Sequence, residues 1–150
     1  MWPKITDLPV CGLGIDIIRI GRVARAYRRR PKRFLERIFT PREREALLCK
    51  KNFYSSLAVR FAAKEAIAKA LGCGIGAVRW RELEILPGKQ GKPTVFLHGN
   101  ARYLARRLRV AGIKVSLSHD GSYAVAAAMA YGKRAAKDKK EKKKKNENEK

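Results

Sequence analysis

Between residues 10 and 18 the chain alternates. Cys11, Leu13, Ile15 and Ile17 fall on one side, and Val10, Gly12, Gly14, Asp16 and Ile18 on the other. This period of two predicts a first strand. The pattern then becomes helical. Residues 20–30 predict a short basic helix ended by Pro31, and residues 32–39 a further turn or two. Thr40, Pro41 and Glu43 make a helix start: a hydroxyl cap, proline at the first helical position, and a glutamate three residues after the cap. That helix is expected to reach about residue 50. Residues 53–71 predict the longest helix, free of Gly and Pro, with Gly72 at its C′ position. On it Phe61, Ala68 and Leu71 share a face, with Leu57 a turn earlier. Glu65 lies on the flank beside Ala58, Ala62 and Lys69.

Beyond a glycine-rich loop at residues 73–76, residues 81–86 predict a strand, 87–92 a turn, and 93–97 the returning strand. Asn100 is placed to cap a helix that Gly112 stops. In the strand at residues 113–119, Ile113, Val115, Leu117 and His119 face one way. Asp120-Gly121 is a hairpin signal, and residues 122–131 form the last, Ala-rich strand. The order implies an α+β domain with a mainly antiparallel sheet and packed helices. It also allows the split β-α-β-β-α-β arrangement.

Charge changes the picture. Thirty-six Lys and Arg against 13 Asp and Glu give +23. Residues 133–150 hold ten basic and four acidic residues, so +17 remains on residues 1–132. We therefore expect a domain over 1–132 and a Lys-rich, disordered tail over 133–150. A domain so cationic attracts polyanions: nucleic acid, anionic lipid, a phosphorylated cofactor or a very acidic protein. Three cysteines with no close pair suit a reducing compartment and argue against a disulfide framework or a zinc site. No basic stretch leads into an apolar run at the N-terminus, and no apolar run is long enough to span a bilayer. The expected location is cytoplasmic. No internal repeat, P-loop, dinucleotide fingerprint or Ser–His–Asp motif is present.

Two acids stand out. Asp16 sits on a strand face cleared by glycines, and it either caps a turn or points into a cleft beside a cation. Glu65 lies near Arg60, Lys64, Lys69 and Arg79. Spacing alone favours an ordinary i,i+4 pair with Lys69 over a metal ligand beside a phosphate.

Taken together, five segments decide more. Gly14-Ile15-Asp16-Ile17, Arg37-Ile38-Phe39-Thr40, Arg60-Phe61-Ala62-Ala63-Lys64-Glu65-Ala66, Gly91-Lys92-Pro93 and Val115-Ser116-Leu117-Ser118-His119 occur in an order that resembles the holo-acyl-carrier-protein synthases. These are short, single-domain 4′-phosphopantetheinyl transferases, and the resemblance covers roughly residues 8–129. It implies the 4′-phosphopantetheinyl transferase fold. It also implies transfer of phosphopantetheine from coenzyme A to a serine of an acyl carrier protein, with Mg²⁺ as cofactor and adenosine 3′,5′-bisphosphate leaving. A homotrimer with active sites between subunits is implied as well.

Residue by residue, the resemblance makes Asp16 and Glu65 the metal ligands. Arg60, Lys64 and Lys69 become phosphate contacts, and Gly72, Lys92 and Pro93 border the coenzyme. Cys73 stands where the family often has Thr. Glu65, a metal-bound water or His119 takes the serine proton; His119 alternatively binds the cofactor. Lys69 is counted with the catalytic groups. Arg22, Arg33, Phe34 and Arg37 would dock the acidic carrier. Neither His98 nor the tail matches a site position, and His98 is expected to be a surface or strand-end residue. A basic nucleic-acid-binding module is the alternative; against it, the aromatics are not interleaved with the basic runs.

Overall fold

The computed structural model describes residues 8–133. The expected disordered tail lies outside the described residues, apart from Lys133. The elements run β1 (Val10–Arg19), α1 (Ile20–Arg29), α2 (Pro31–Ile38), α3 (Pro41–Leu48), α4 (Phe53–Ala70), β2 (Leu83–Pro87), β3 (Pro93–Leu97), α5 (Gly99–Arg107), β4 (Val110–Asp120) and β5 (Tyr123–Gly132). Three strands form an antiparallel sheet in the order β1-β5-β4, and β2 pairs with β3 in a second, two-stranded sheet. The α+β expectation holds. The split arrangement is not adopted, because the second sheet is separate from the first.

One helix organises the core. α4 lies against β1 and β5, and small residues let it come close. A Cβ on Gly14 would overlap the carbonyl oxygen of Ala66, and one on Gly12 that of Ala70. Across the sheet, Ala126, Ala128 and Ala130 of β5 are buried on the same side. The helix backbone therefore rests almost directly on the strands. From Leu57 to Leu71 every residue is buried except Phe61, Glu65 and Lys69. This corrects the expected stripe. Phe61 does not share a buried face with Ala68 and Leu71; it starts the open line of the helix at i, i+4, i+8.

The local start and stop signals act as their chemistry dictates. Thr40 and Glu43 form the capping box, with Glu43 N–H donating to Thr40 Oγ1 (3.2 Å) and Thr40 N–H to Glu43 Oε2 (2.8 Å). Gly72 closes α4 with φ +69°. Its N–H donates to Lys69 O (2.9 Å) and Cys73 N–H to Ala68 O (3.0 Å), a Schellman pair.

Other signals are overridden. Residues Trp80–Glu82 form a 3₁₀ turn, so β2 begins only at Leu83. α5 starts at Gly99, and Asn100 is not its cap. The Glu82 carboxylate instead accepts the Asn100 N–H (3.1 Å) and the Arg79 N–H (2.9 Å). Gly112 does not stop the helix, which already ends at Arg107. It sits within β4 where the register with β5 shifts.

Candidate active site

β1 and α4 bring Asp16, Glu65 and Lys69 together. Asp16 follows the two glycines that admit α4, so its side chain emerges where the helix crosses the strand. Lys69 Nζ donates to Asp16 Oδ1 (3.0 Å) and to Ile15 O (2.9 Å). The ion pair of Lys69 thus crosses from helix to strand rather than running along the helix to Glu65. Burial pushes the Glu65 carboxyl above its ordinary range; the Asp16 charge pushes it further and Lys69 pulls it back. Asp16 and Glu65 line a cavity of about 360 Å³ with Ile18, Arg22, Phe34 and Phe61.

These donors suit a hard divalent cation. Two carboxylates repel each other across one cavity, and both offer oxygen only. Among the described residues no group of three or more His, Cys, Asp or Glu could hold a metal unaided. A site with two acids and room for further oxygens matches Mg²⁺, which completes its shell with water and substrate phosphates.

The other expected site residues separate. Lys64 is fully buried, and its Nζ donates to Glu43 Oε2 (2.9 Å), Trp80 O (2.9 Å) and Leu83 O (2.6 Å). That corrects its expected role as a phosphate contact, since all three ammonium protons are used inside the core. Burial lowers its pKa, with Glu43 opposing the shift. Arg60 is also buried, and burial lowers its pKa against the pull of Glu43. Its Nε has no hydrogen-bond partner among the described residues. Arg60 lines a second, larger cavity of about 910 Å³, shared with Leu13, Ile15, Lys92, Pro93 and Met129. Lys92 and Pro93 thus line a different cavity from the two carboxylates within one chain.

Gly72 is exposed at the end of α4, with nothing within 4 Å of the place a Cβ would occupy. His119 is exposed near the β4–β5 turn, opposite Ala124, and does not line the carboxylate cavity. Arg33, Phe34 and Arg37 line a third cavity of about 530 Å³ with Phe61 and Trp80, while Arg22 belongs to the cavity of Asp16 and Glu65.

Sequence reading missed a buried polar chain behind the site. Glu43, marked only as half of a capping box, also binds Lys64 and accepts the Ile85 N–H (2.9 Å). Thr40 Oγ1 donates to Glu84 Oε2 (2.5 Å), and Glu84 Oε1 meets His98 Nε2 (3.1 Å). His98 is exposed at the end of β3, as expected, and it also meets the Glu84 carboxylate. The one available signal was an acid at position 84 inside an apolar strand.

Residues 12–128 match the model of the 4′-phosphopantetheinyl transferase superfamily. The holo-[acyl-carrier-protein] synthase of Moorella thermoacetica is 51% identical over 116 residues, covering 77% of this chain and 90% of that protein. The crystal structure of the Neisseria meningitidis holo-[acyl-carrier-protein] synthase is similar with a TM-score of 0.75 at 33% identity, covering 81% of this chain and 98% of that one. The Helicobacter pylori synthase, solved in complex with coenzyme A, superposes with a TM-score of 0.68 at 32% identity over 79% of this chain and 98% of its own. With the family match spanning most of the folded residues and the two acids meeting at one cavity, the chain belongs to the 4′-phosphopantetheinyl transferase superfamily.

Proposed function

We propose that this protein transfers the 4′-phosphopantetheine group of coenzyme A to a serine of an acyl carrier protein. The observation that carries the reading is the meeting of Asp16 and Glu65 in one cavity, with Lys69 bound to Asp16. The serine oxygen forms a bond to the β-phosphorus of coenzyme A, and the bond from that phosphorus to the leaving adenosine 3′,5′-bisphosphate oxygen breaks. Such a step asks for positioning and charge stabilisation. Asp16 and Glu65 would hold Mg²⁺, which when bound neutralises charge on the pyrophosphate. Lys69 presents its ammonium beside Asp16, where a phosphate oxygen would also lie. The serine proton passes to Glu65, to a water, or to His119.

The coenzyme is expected at the larger cavity. There the buried guanidinium of Arg60 has an Nε to spare, and Lys92 and Pro93 stand beside it. This cavity and that of the two carboxylates have different linings in one chain, which accords with a site completed by a second copy in a homotrimer. That same cavity is lined by Leu13 and Ile15 of the exposed sheet face, so a copy packed on that face would help enclose it. Cys11, Cys49 and Cys73 are free thiols, which suits a cytoplasmic enzyme, and no helix among the described residues is long and apolar enough to cross a membrane.

The direct test is mass spectrometry of an apo carrier protein incubated with the protein, coenzyme A and Mg²⁺. One phosphopantetheine should be added, and a chelator should prevent it. An unchanged carrier mass across several carriers would reject the reading.

A further inference from the structure

The turn before β2 reads Arg79-Trp80-Arg81, and no site role follows from the motifs of the chain. Arg79 and Arg81 are exposed, and among the described residues neither forms an ion pair. Trp80 is half-buried, its ring 4.6 Å from that of Phe61, which in turn stacks on Phe34 at 6.4 Å. These three rings line a groove bordered by Arg29, Arg33 and Arg37. The groove shares Ala26, Phe34 and Phe61 with the cavity of Asp16 and Glu65, so the two adjoin. A neighbouring depression carries the basic border onward through Arg37, Arg79 and Arg81.

The turn is also rigidly held. Buried Lys64 donates to the carbonyls of Trp80 and Leu83, and the Glu82 carboxylate caps the Arg79 N–H. A buried ammonium spent on the main chain of a surface turn fixes where that turn presents its side chains.

We infer that Arg79-Trp80-Arg81 is a second docking element for the acidic carrier protein. Arg79 and Arg81 meet carboxylates of the carrier, and Trp80 builds the seat for one of its apolar side chains. This rests on the phosphopantetheine-transfer reading. An acidic protein fits better than nucleic acid. The aromatic faces are turned on one another, so they are closed to stacking bases, while their edges floor an apolar pocket ringed by cations. The walls shared with the carboxylate cavity place a partner seated here beside the reacting centre.

The test is Arg79→Ser combined with Arg81→Gln. Both side chains are exposed, and the Glu82 cap uses only the Arg79 main chain, so the turn keeps its anchors. With apo carrier varied at low salt, KM for the carrier should rise about three- to tenfold, as expected for two exposed charge pairs. KM for coenzyme A and kcat at saturating carrier should stay put, and the difference should shrink as salt rises. Arg102→Gln with Arg106→Gln removes the same charge from α5 and should change KM for the carrier less than twofold.

An equal rise in both double variants would overturn the inference in favour of a general field. Unchanged KM for the carrier, with lost binding of a single-stranded oligonucleotide, would overturn it in favour of a nucleic-acid surface. Calorimetric titration of the apo carrier reads docking without turnover. If the wild-type protein transfers nothing yet binds the carrier more tightly than the double variant, the transfer reading fails and the docking element stands. Equal affinities would remove the docking element.

Discussion

Adjacent residues of one helix do opposite jobs in Lys64 and Glu65. A step of about 100° per residue carries Lys64 into the core while Glu65 stays on the open line with Phe61 and Lys69. The motif that contains both residues does not say which way each points; the burial of every other side of α4 decides it. Asp16→Ala or Glu65→Ala should therefore leave the thermal melt nearly unchanged and cut kcat of carrier modification by roughly 100-fold or more, the scale for losing a charge-stabilising group. Wild-type rates in both variants would remove the carboxylate pair from the mechanism. Lys64→Met should behave in the opposite way. It leaves Glu43 buried without its cation, at a cost of about 3–5 kcal/mol in denaturant unfolding, and adding Glu43→Leu should recover only part of that loss, because the Thr40 and Ile85 N–H groups then lose their acceptor. A phosphate-binding Lys64 would instead raise KM for coenzyme A at unchanged stability. Asp16 stood out because glycines clear its strand face, whereas spacing alone made Glu65 an i,i+4 partner of Lys69 and only the resemblance paired the two acids. The burial of Lys64 was not legible, because its three partners come from residues 43, 80 and 83, whose approach only the fold creates.

Between elements, the contact of β1 with α4 depends on the absence of side chains. Gly14→Ala would drive a Cβ into the backbone of Ala66, and a helix backbone cannot yield as a flexible side chain would. We expect a loss of about 1–3 kcal/mol, the usual cost of overpacking, and a drop in turnover because α4 and Glu65 must move off Asp16. A melt and a transfer assay on the same variant check both parts. The contact of α3 with β2 depends on Glu84. Burial raises its carboxyl pKa, but hydrogen bonds from Thr40 and His98 and the charge of Arg42 outweigh this and hold it below its ordinary value of 4.5. A depressed carboxyl stabilises the fold above its ordinary pKa, and that contribution disappears as pH falls through the folded value. Glu84→Gln should thus melt at lower temperature than wild type near neutral pH, and the gap should shrink as pH falls below 4.5. A gap independent of pH would show that the charge on Glu84 contributes nothing. The capping box and the Schellman glycine were readable because such signals are local. The α5 boundaries were not, because Glu82 caps the helix from a distant turn and Arg109, at φ +58°, makes the reversal that Gly112 was expected to make.

At the scale of the molecule, the three-stranded sheet has one face covered by α4 and one face open. Leu13, Ile15 and Ile17 stand 71%, 64% and 65% exposed on the open face, an apolar row that a lone soluble chain rarely leaves bare. The alternation of β1 placed these residues together in the sequence, but period two says only that they share a side, not whether that side is buried. The same face borders the cavity of Arg60, Lys92 and Pro93, so covering it and closing that cavity are one event. Light scattering should give a mass near three times 16.9 kDa, and Ile15→Glu should bring it to one chain with transfer activity lost. Salt separates this contact from carrier docking. Each chain carries +23, so copies repel while their apolar faces attract. Added salt screens the repulsion and leaves the apolar term, which should strengthen the assembly. Docking of an acidic carrier on the arginine border rests on attraction between opposite charges, so salt should weaken it. Raising ionic strength should therefore lower the concentration at which chains assemble while raising KM for the carrier. If both moved in the same direction, the apolar face would not be what holds the copies together.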